Sequence, residues 1–435
     1  MASEIDRRRF LKDVALTGAA IWLSGAEGRA QDSKPPSEKL NIGVIGVANQ
    51  GRYDLDNVRS QNIVALCDID DNYLAAAAKD LPDAKLYNDY RKMLAQKDIE
   101  AVVIATPDHT HAPATLLALE SGRHVYCEKP LTHTVAEARQ VAETARRHKR
   151  VTQMGTQIHA GSNYRRVVEI VQSGAIGEVR EVHCWVGTIW SGQGRPTETP
   201  PVPPNLHWDL WLNVAPVRPY HPVYLPASWR GWWDFGGGGL ADMACHHMDL
   251  PTWALDLRAP ETVEAEGPPV DPENAPPWMI VRYAYPARGT KPPVALTWYH
   301  GGKRPPYFAE GRLPAWGDGT LFVGSKGMLL ADYGRHVLLP EKDFAGFQPP
   351  PPTIPDSIGH HLEWIEACKT GGPTTCNFDY AGALTEAVLL GNVAYRLGKK
   401  LTWDARHLRA IDCPEADAYL KPHYRKEWIN RIEAA

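Results

Sequence analysis

Short apolar runs alternate with amphipathic stretches from residue 40 to about residue 155. The first run, LNIGVI at 40–45, is β-branched, and a helical stretch to about Ser60 follows it. NIVALC at 62–67, AVVIA at 101–105, HVYC at 124–127 and VTQMG at 151–155 repeat the pattern, with helices expected over about 112–121 and 134–149. Short, unbroken apolar runs flanked by turns suit strands buried on both faces. Repeated strand and helix units with short links predict a parallel, doubly wound α/β sheet. Farther along, 294–299 and 320–324 read as strands of a second sheet, and 380–397 as a long apolar helix. His360, His361 and Glu363 begin another helix, where capping or surface placement is expected.

The strand ends carry the chemistry, because such sheets bind ligands beyond their carboxyl edge. After the first strand comes Gly46-Val-Ala48-Asn49-Gln50-Gly51, a glycine turn opening a helix. Its amides and the helix dipole suit a pyrophosphate. Ala48 replaces the usual middle glycine, and its methyl group narrows the approach of the phosphates. The second strand ends at Asp68, about 20 residues on, the spacing of a carboxylate that takes a ribose hydroxyl. That acid favours NAD over NADP. The next strand ends in Thr106-Pro107-Asp108-His109-Thr110-His111, and the one after it in Glu128-Lys129-Pro130. Thr106, Pro107, His111, Glu128 and Lys129 therefore face the nicotinamide end of the cofactor, although capping and turn chemistry compete for the histidines. The proline restricts the Lys129 backbone, which holds an ammonium in one place.

A third constellation follows a glycine run: Ala241-Asp242-Met-Ala-Cys-His246-His247-Met-Asp249. On a helix starting near Leu240, Asp242 and His246 are i and i+4 and share a face, which Asp249 joins. A carboxylate beside an imidazole fixes its tautomer and raises its basicity, so the pair can take a hydroxyl proton. Zinc or manganese binding is the rival reading, but no second ligand cluster stands out and no metal is expected.

These motifs, in this order and together with Met154-Gly-Thr-Gln157 and Ser173-Gly-Ala-Ile-Gly-Glu-Val179, make the chain resemble the Gfo/Idh/MocA oxidoreductases over about residues 40–250. The resemblance implies a Rossmann domain, here 39–157, and a carboxyl-terminal α+β domain, here 158–435, whose open, mostly antiparallel sheet often forms a homo-oligomer interface. It implies catalytic roles for Lys129, Asp242 and His246. Gln157, Trp190, Trp233 and His247 are the candidate substrate contacts, with spacing from Asp242 favouring His246 over His247 as the base. The implied activity is oxidation of a sugar, polyol or glycoside hydroxyl with NAD; a redox-neutral, NAD-dependent glycosidase or lyase and a non-catalytic glycan-binding module are the alternatives.

Composition and local pattern add four points. Residues 1–30 read as a twin-arginine export signal, with Arg7-Arg8-Arg9-Phe10-Leu11-Lys12, an apolar run to about Gly25 and cleavage near Ala30, followed by a polar linker at 31–38. That predicts a partner in the export machinery, a periplasmic or otherwise exported location, and a tightly held cofactor. The net charge of −4 and the lack of a basic stripe argue against nucleic acid. Seven cysteines without a C-x-x-C pair are expected to be buried free thiols. Seven of the 15 tryptophans fall at 185–233 among prolines and glycines, which marks a long irregular insertion. Indole faces suit sugar C–H faces, and Arg195, Arg218 and Arg230 suit acidic groups.

Overall fold

A computed structural model describes residues 38–428 apart from 193 and 412. The export-signal reading therefore lies outside the described residues. The first half of the fold runs β1 (Asn41–Ile45), α1 (Gln50–Val58), β2 (Asn62–Cys67), α2 (Asp71–Ala78), β3 (Lys85–Tyr87), α3 (Tyr90–Leu94), β4 (Ala101–Ile104), α4 (Asp108–Glu120), β5 (His124–Glu128), α5 (Val135–His148) and β6 (Thr152–Gly155). These strands form one parallel sheet in the order β3-β2-β1-β4-β5-β6. The order reverses between β1 and β4, which opens a ligand crevice at their carboxyl ends. Every residue of β4 and β6 is buried, as the unbroken apolar runs require. A capping box closes the start of α5, with the Thr134 amide donating to Glu137 at 2.8 Å. Helix α4 starts at Asp108, four residues earlier than the periodicity suggests, so His109 and His111 sit in its first turns.

The second half adds α6 (Ser162–Gln172), β7 (Val179–Val186), α7 (Trp208–Leu212), α8 (Gly238–His247), α9 (Asp249–Leu255), β8 (Thr262–Glu266), β9 (Met279–Tyr285), β10 (Val294–His300), β11 (Gly319–Gly324), β12 (Met328–Ala331), β13 (His336–Leu339), α10 (His360–Thr370), α11 (Phe378–Leu397), β14 (Leu401–Asp404), β15 (Arg409–Ile411) and α12 (Asp417–Leu420). Its strands pair as β13-β12-β11-β7-β10-β9-β8-β14-β15, antiparallel except for β7 and β10. Alternation sorts the side chains: Phe322 and Leu329 enter the main core, while Leu321 and Leu330 join Trp185 and Tyr299 on the other face. Helix α11 is nearly all buried, capped by Asn377 and ended by Gly398 in the left-handed region. The fold is thus the expected pairing of a Rossmann sheet with an α/β unit built on a mostly antiparallel sheet.

One expectation changes. His360 and His361 are buried, not at the surface: His360 Nε2 meets the Met154 carbonyl at 2.7 Å, and His361 stacks on Tyr126 at 4.7 Å. They dock α10 onto the parallel sheet, an apolar task that a polar helix start conceals. The irregular insertion has its own core, in which Trp208 stacks on Trp211 at 4.6 Å beside Tyr224, Trp229, Trp232 and Phe235. Among the described residues, no helix is long and apolar enough to cross a membrane, and no three metal-ligating side chains converge. Six of the free cysteines are buried and Cys368 is half-buried.

Candidate functional site

The turn from β1 to α1 is shaped by two glycines that have no room for a side chain. A Cβ on Gly46, whose φ is 83°, would lie 2.3 Å from the Ala105 carbonyl oxygen, and one on Gly51 would lie 2.1 Å from that of Gly46. Ala48 between them is half-buried, while Asn49 and Gln50 are exposed. Gly51 N closes the first bond of the turn, on Ala48 O at 2.9 Å. The amides ahead of it at this helix start are those a phosphate takes. Asp68 braces the turn: one oxygen accepts from Val47 N at 2.9 Å and the other from Asp70 N at 3.0 Å. Burial raises its carboxyl to about 6 against those two amides. A tight glycine turn at a helix amino-terminus, with the Ala48 methyl at its middle and a switch in strand order beside it, fits a dinucleotide.

The next two strand ends are stapled together. His111 is buried, with Nδ1 2.7 Å from Pro130 O and Nε2 2.8 Å from Thr106 O. This corrects its assignment to the cofactor: starting α4 at Asp108 turns the ring inward, where it joins the Thr106-Pro107 loop to the Glu128-Lys129-Pro130 turn. The Lys129-Pro130 bond is cis. Glu128 is also buried; its Oε1 accepts from Gln50 at 3.2 Å and from Gln157 at 2.6 Å. Gln157 reaches the Tyr126 hydroxyl at 3.0 Å as well. Beneath lies Asp54, fully buried on α1 and 2.9 Å from His361. Burial pushes Asp54 and Glu128 each up to about 8, so this carboxyl pair holds a proton near neutrality. Sequence reading missed Asp54, whose polar, mid-helix setting looks like a solvated face.

Lys129 reaches from the end of β5 to α8. Its Nζ donates to Asp242 Oδ1 at 2.7 Å and to the Asp242 carbonyl at 2.9 Å. The same Oδ1 accepts from Arg230 Nε at 3.0 Å, and Oδ2 accepts from the Trp190 indole at 2.6 Å. Burial opposes ionisation of Asp242, but Lys129 and Arg230 together hold its carboxyl far below the usual range. Asp108, also missed, is buried nearby and raised to about 7 by burial, against the pull of Arg230 and Lys129.

Asp242 does not orient His246, although the two share a helix face. Two cations and an indole N–H take its oxygens, and a neutral imidazole loses that competition. His246 is half-buried with Nδ1 unpartnered among the described residues, and burial holds its pKa well below the usual value. His247 is buried, stacks on Tyr333 at 5.0 Å and is lowered to about 4 by burial. Asp249 turns away from both, to His159 at 2.9 Å and the Tyr380 hydroxyl at 2.7 Å. Trp233 is buried in the main core; its indole donates to Asp271 O at 3.0 Å and Arg396 covers its ring. It is a packing residue, and Trp190 alone of that pair reaches the Lys129 cluster. Tyr333, on the β12–β13 turn, has a buried hydroxyl without a partner among the described residues; no motif marks it in the sequence.

The chain matches two consecutive family models. Residues 40–156 match an oxidoreductase family with an NAD-binding Rossmann fold, and residues 161–294 match the oxidoreductase family's C-terminal alpha/beta domain. An inositol 2-dehydrogenase of Salmonella typhimurium is 34% identical over 198 residues, covering 42% of this chain and 58% of that protein. A glycosyl hydrolase family 109 protein of Shewanella pealeana is 30% identical over 206 residues, covering 40% of this chain and 44% of that protein. The chain thus spans less than two thirds of the curated relatives it matches. Among solved structures, GenD2 from gentamicin A biosynthesis, in complex with NAD, aligns with a TM-score of 0.59 at 18% identity, over 87% of this chain and 100% of that one. The WlbA dehydrogenase from Bordetella pertussis, in complex with NADH and UDP-GlcNAcA, aligns with a TM-score of 0.59 at 18% identity, over 84% and 99%. At such identities these two share the fold.

Proposed function

Because this chain belongs to the Gfo/Idh/MocA oxidoreductase family, we propose that it is an NAD-dependent dehydrogenase acting on a hydroxyl of a sugar, polyol or glycoside. The observation that carries this is the Lys129–Asp242 contact of 2.7 Å, which joins the edge of the dinucleotide-binding sheet to the helix of the second unit. NAD, bound by the turn 46–51 with Thr106, Pro107 and Glu128 at the strand ends, supplies the hydride acceptor. Lys129 donates to the reacting oxygen, and Asp242 fixes the ammonium. His246 is neutral near pH 7, so its ring accepts the hydroxyl proton. Trp190, held by Asp242, lines the sugar side with Gln157, and Asp68 favours NAD over NADP.

The relatives support a dehydrogenase and leave a second reading, since one bears a glycosyl hydrolase name. In that reading, oxidation beside a glycosidic bond acidifies a C–H, elimination cleaves the bond, and the cofactor is restored in each cycle. Residues 7–30 support export and, with it, a cofactor that stays bound; the second-unit sheet is the proposed oligomer face. The test starts from protein purified without added nucleotide, denatured and assayed for NAD and NADP by mass spectrometry, then screened against sugars, polyols and aryl glycosides. Near-stoichiometric NAD and reduction by a free sugar support the dehydrogenase. Aglycone release without net reduction favours the redox-neutral reading. Protein that neither contains nor binds NAD refutes both and leaves a glycan-binding module.

A further inference from the structure

Arg230 comes from the tryptophan-rich insertion, not from either sheet, yet it sits on the central carboxylate. Its Nε is 3.0 Å from Asp242 Oδ1, the same oxygen that holds Lys129. Its guanidinium lies 4.3 Å from the centre of the Trp229 ring and 5.4 Å from that of Trp190, so its plane is fixed by aromatic surfaces. Nη1 donates to the Ala227 carbonyl at 3.3 Å. Among the described residues no hydrogen bond uses Nη2, and the side chain is 23% exposed. The other arginines of the insertion are engaged elsewhere: Arg218 is buried against Asp234 and Glu273, and Arg195 pairs with Glu273.

Charge at this point does not balance. Lys129 and Arg230 face one ionised carboxylate, Asp242. The other nearby acids, Asp108 and Glu128, are raised by burial to about 7 and about 8 and so carry only part of a charge near neutrality. Holding Asp242 uses only the Nε edge of Arg230, which leaves its partly exposed Nη2 edge directed at the site. Arg presents a planar fork that matches a carboxylate or phosphate group, and it does so best when its plane is fixed in advance.

We infer that Arg230 is a specificity-determining residue, and that the substrate carries an oxyanion substituent, a carboxylate or a phosphate, which its free Nη2 edge receives. This deepens the dehydrogenase proposal and rests on it for the location of the substrate. Trp190 and Trp229 flank the guanidinium, so their fluorescence reports on binding whether or not turnover follows.

The experiment titrates the NAD-loaded protein with three probes: glucuronate, glucose 6-phosphate and glucose. Binding is read by tryptophan fluorescence and by calorimetry, for wild type, Arg230→Gln and Arg230→Lys. At least one anionic probe is expected to bind tenfold or more tightly than glucose. Which one does so separates a uronic acid from a sugar phosphate. Arg230→Gln is expected to bring the anion-to-neutral ratio close to one, and Arg230→Lys to keep part of it. Circular dichroism and NAD content verify that each variant is folded. Equal affinity for all three probes, no binding of either anion, or a ratio unchanged in folded Arg230→Gln overturns the inference. Failure of NAD binding in wild type refutes the dehydrogenase reading instead, which keeps the two failures apart.

Discussion

Replacing Asp242 by Asn tests the central ion cluster most directly. The carboxylate receives Lys129 Nζ at 2.7 Å, Arg230 Nε at 3.0 Å and Trp190 Nε1 at 2.6 Å. Asparagine offers one acceptor and one amide donor in their place. Whichever way it turns, an N–H faces an N–H or a cation, and two cations lose their counter-charge. Hydrogen bonds to charged groups contribute about 1.5–3 kcal/mol each, and breaking a buried ion pair from one side costs about 3–5 kcal/mol. The side chains of Lys129 and Asp242 are only 14% and 10% exposed, so solvent relieves little of this. Asp242→Asn is therefore expected to lose about 3–4 kcal/mol. Lys129→Met is expected to lose less, because Arg230 and Trp190 still satisfy the carboxylate. The sign with pH follows from the depressed carboxyl. A carboxyl lowered in the folded state stabilises above its unfolded pKa of about 4 and loses that contribution only as pH falls toward the folded value. The deficit of Asp242→Asn should thus be constant from pH 5 to 8 and shrink in acid. Equilibrium urea unfolding of wild type, the two variants and the double variant measures both terms and their coupling. An Asp242→Asn protein as stable as Lys129→Met refutes the cluster as drawn.

Three further outcomes are expected. Lys129→Ala should lower kcat by about 10²–10⁴-fold while bound NAD, measured by mass spectrometry, stays near wild type; unchanged turnover removes Lys129 from the chemistry. Gly51→Ala places a Cβ 2.1 Å from the Gly46 carbonyl oxygen, so the purified protein should retain little or no NAD; a normal NAD content contradicts the cradle. Asp54 and Glu128 have raised folded pKa values of about 8, so their contribution to stability is full below pH 4 and lost as pH rises through 8. Thermal melts of Asp54→Asn should accordingly gain on wild type between pH 6 and 9, and parallel curves contradict the shared proton.

Much of this was legible in the residues. Unbroken apolar runs marked the parallel strands because both faces of such a sheet are buried, and Lys129 was found as a strand-end lysine before a proline. The i and i+4 spacing placed Asp242 and His246 on one helix face. Spacing along a helix does not decide which partner wins a carboxylate, and here cations from β5 and from the insertion outcompete the imidazole. Arg230 looked like one of three equivalent insertion arginines, and only the fold shows that Arg218 and Arg195 are engaged by Asp234 and Glu273. His360 and His361 were misplaced because a helix start rich in histidine looks solvated until a sheet packs on it. Trp233 was misassigned for the converse reason: a tryptophan beside a glycine run looks available, yet its ring fills the core.

The three donors on Asp242 come from separate stretches of chain: a strand end, the start of the insertion and its far side. The carboxylate therefore reads out whether the insertion is seated. The same insertion is also bonded to the end of the parallel sheet, with His207 N donating to the Ile69 carbonyl and Asp71 N to the Asn205 carbonyl, each at 2.9 Å, while His109 of α4 meets the Trp211 carbonyl at 2.9 Å. In evolutionary terms, a change in the insertion is felt both at the Asp242 cluster and beside the strand end that carries Asp68, so the two ends of the crevice are constrained to change together.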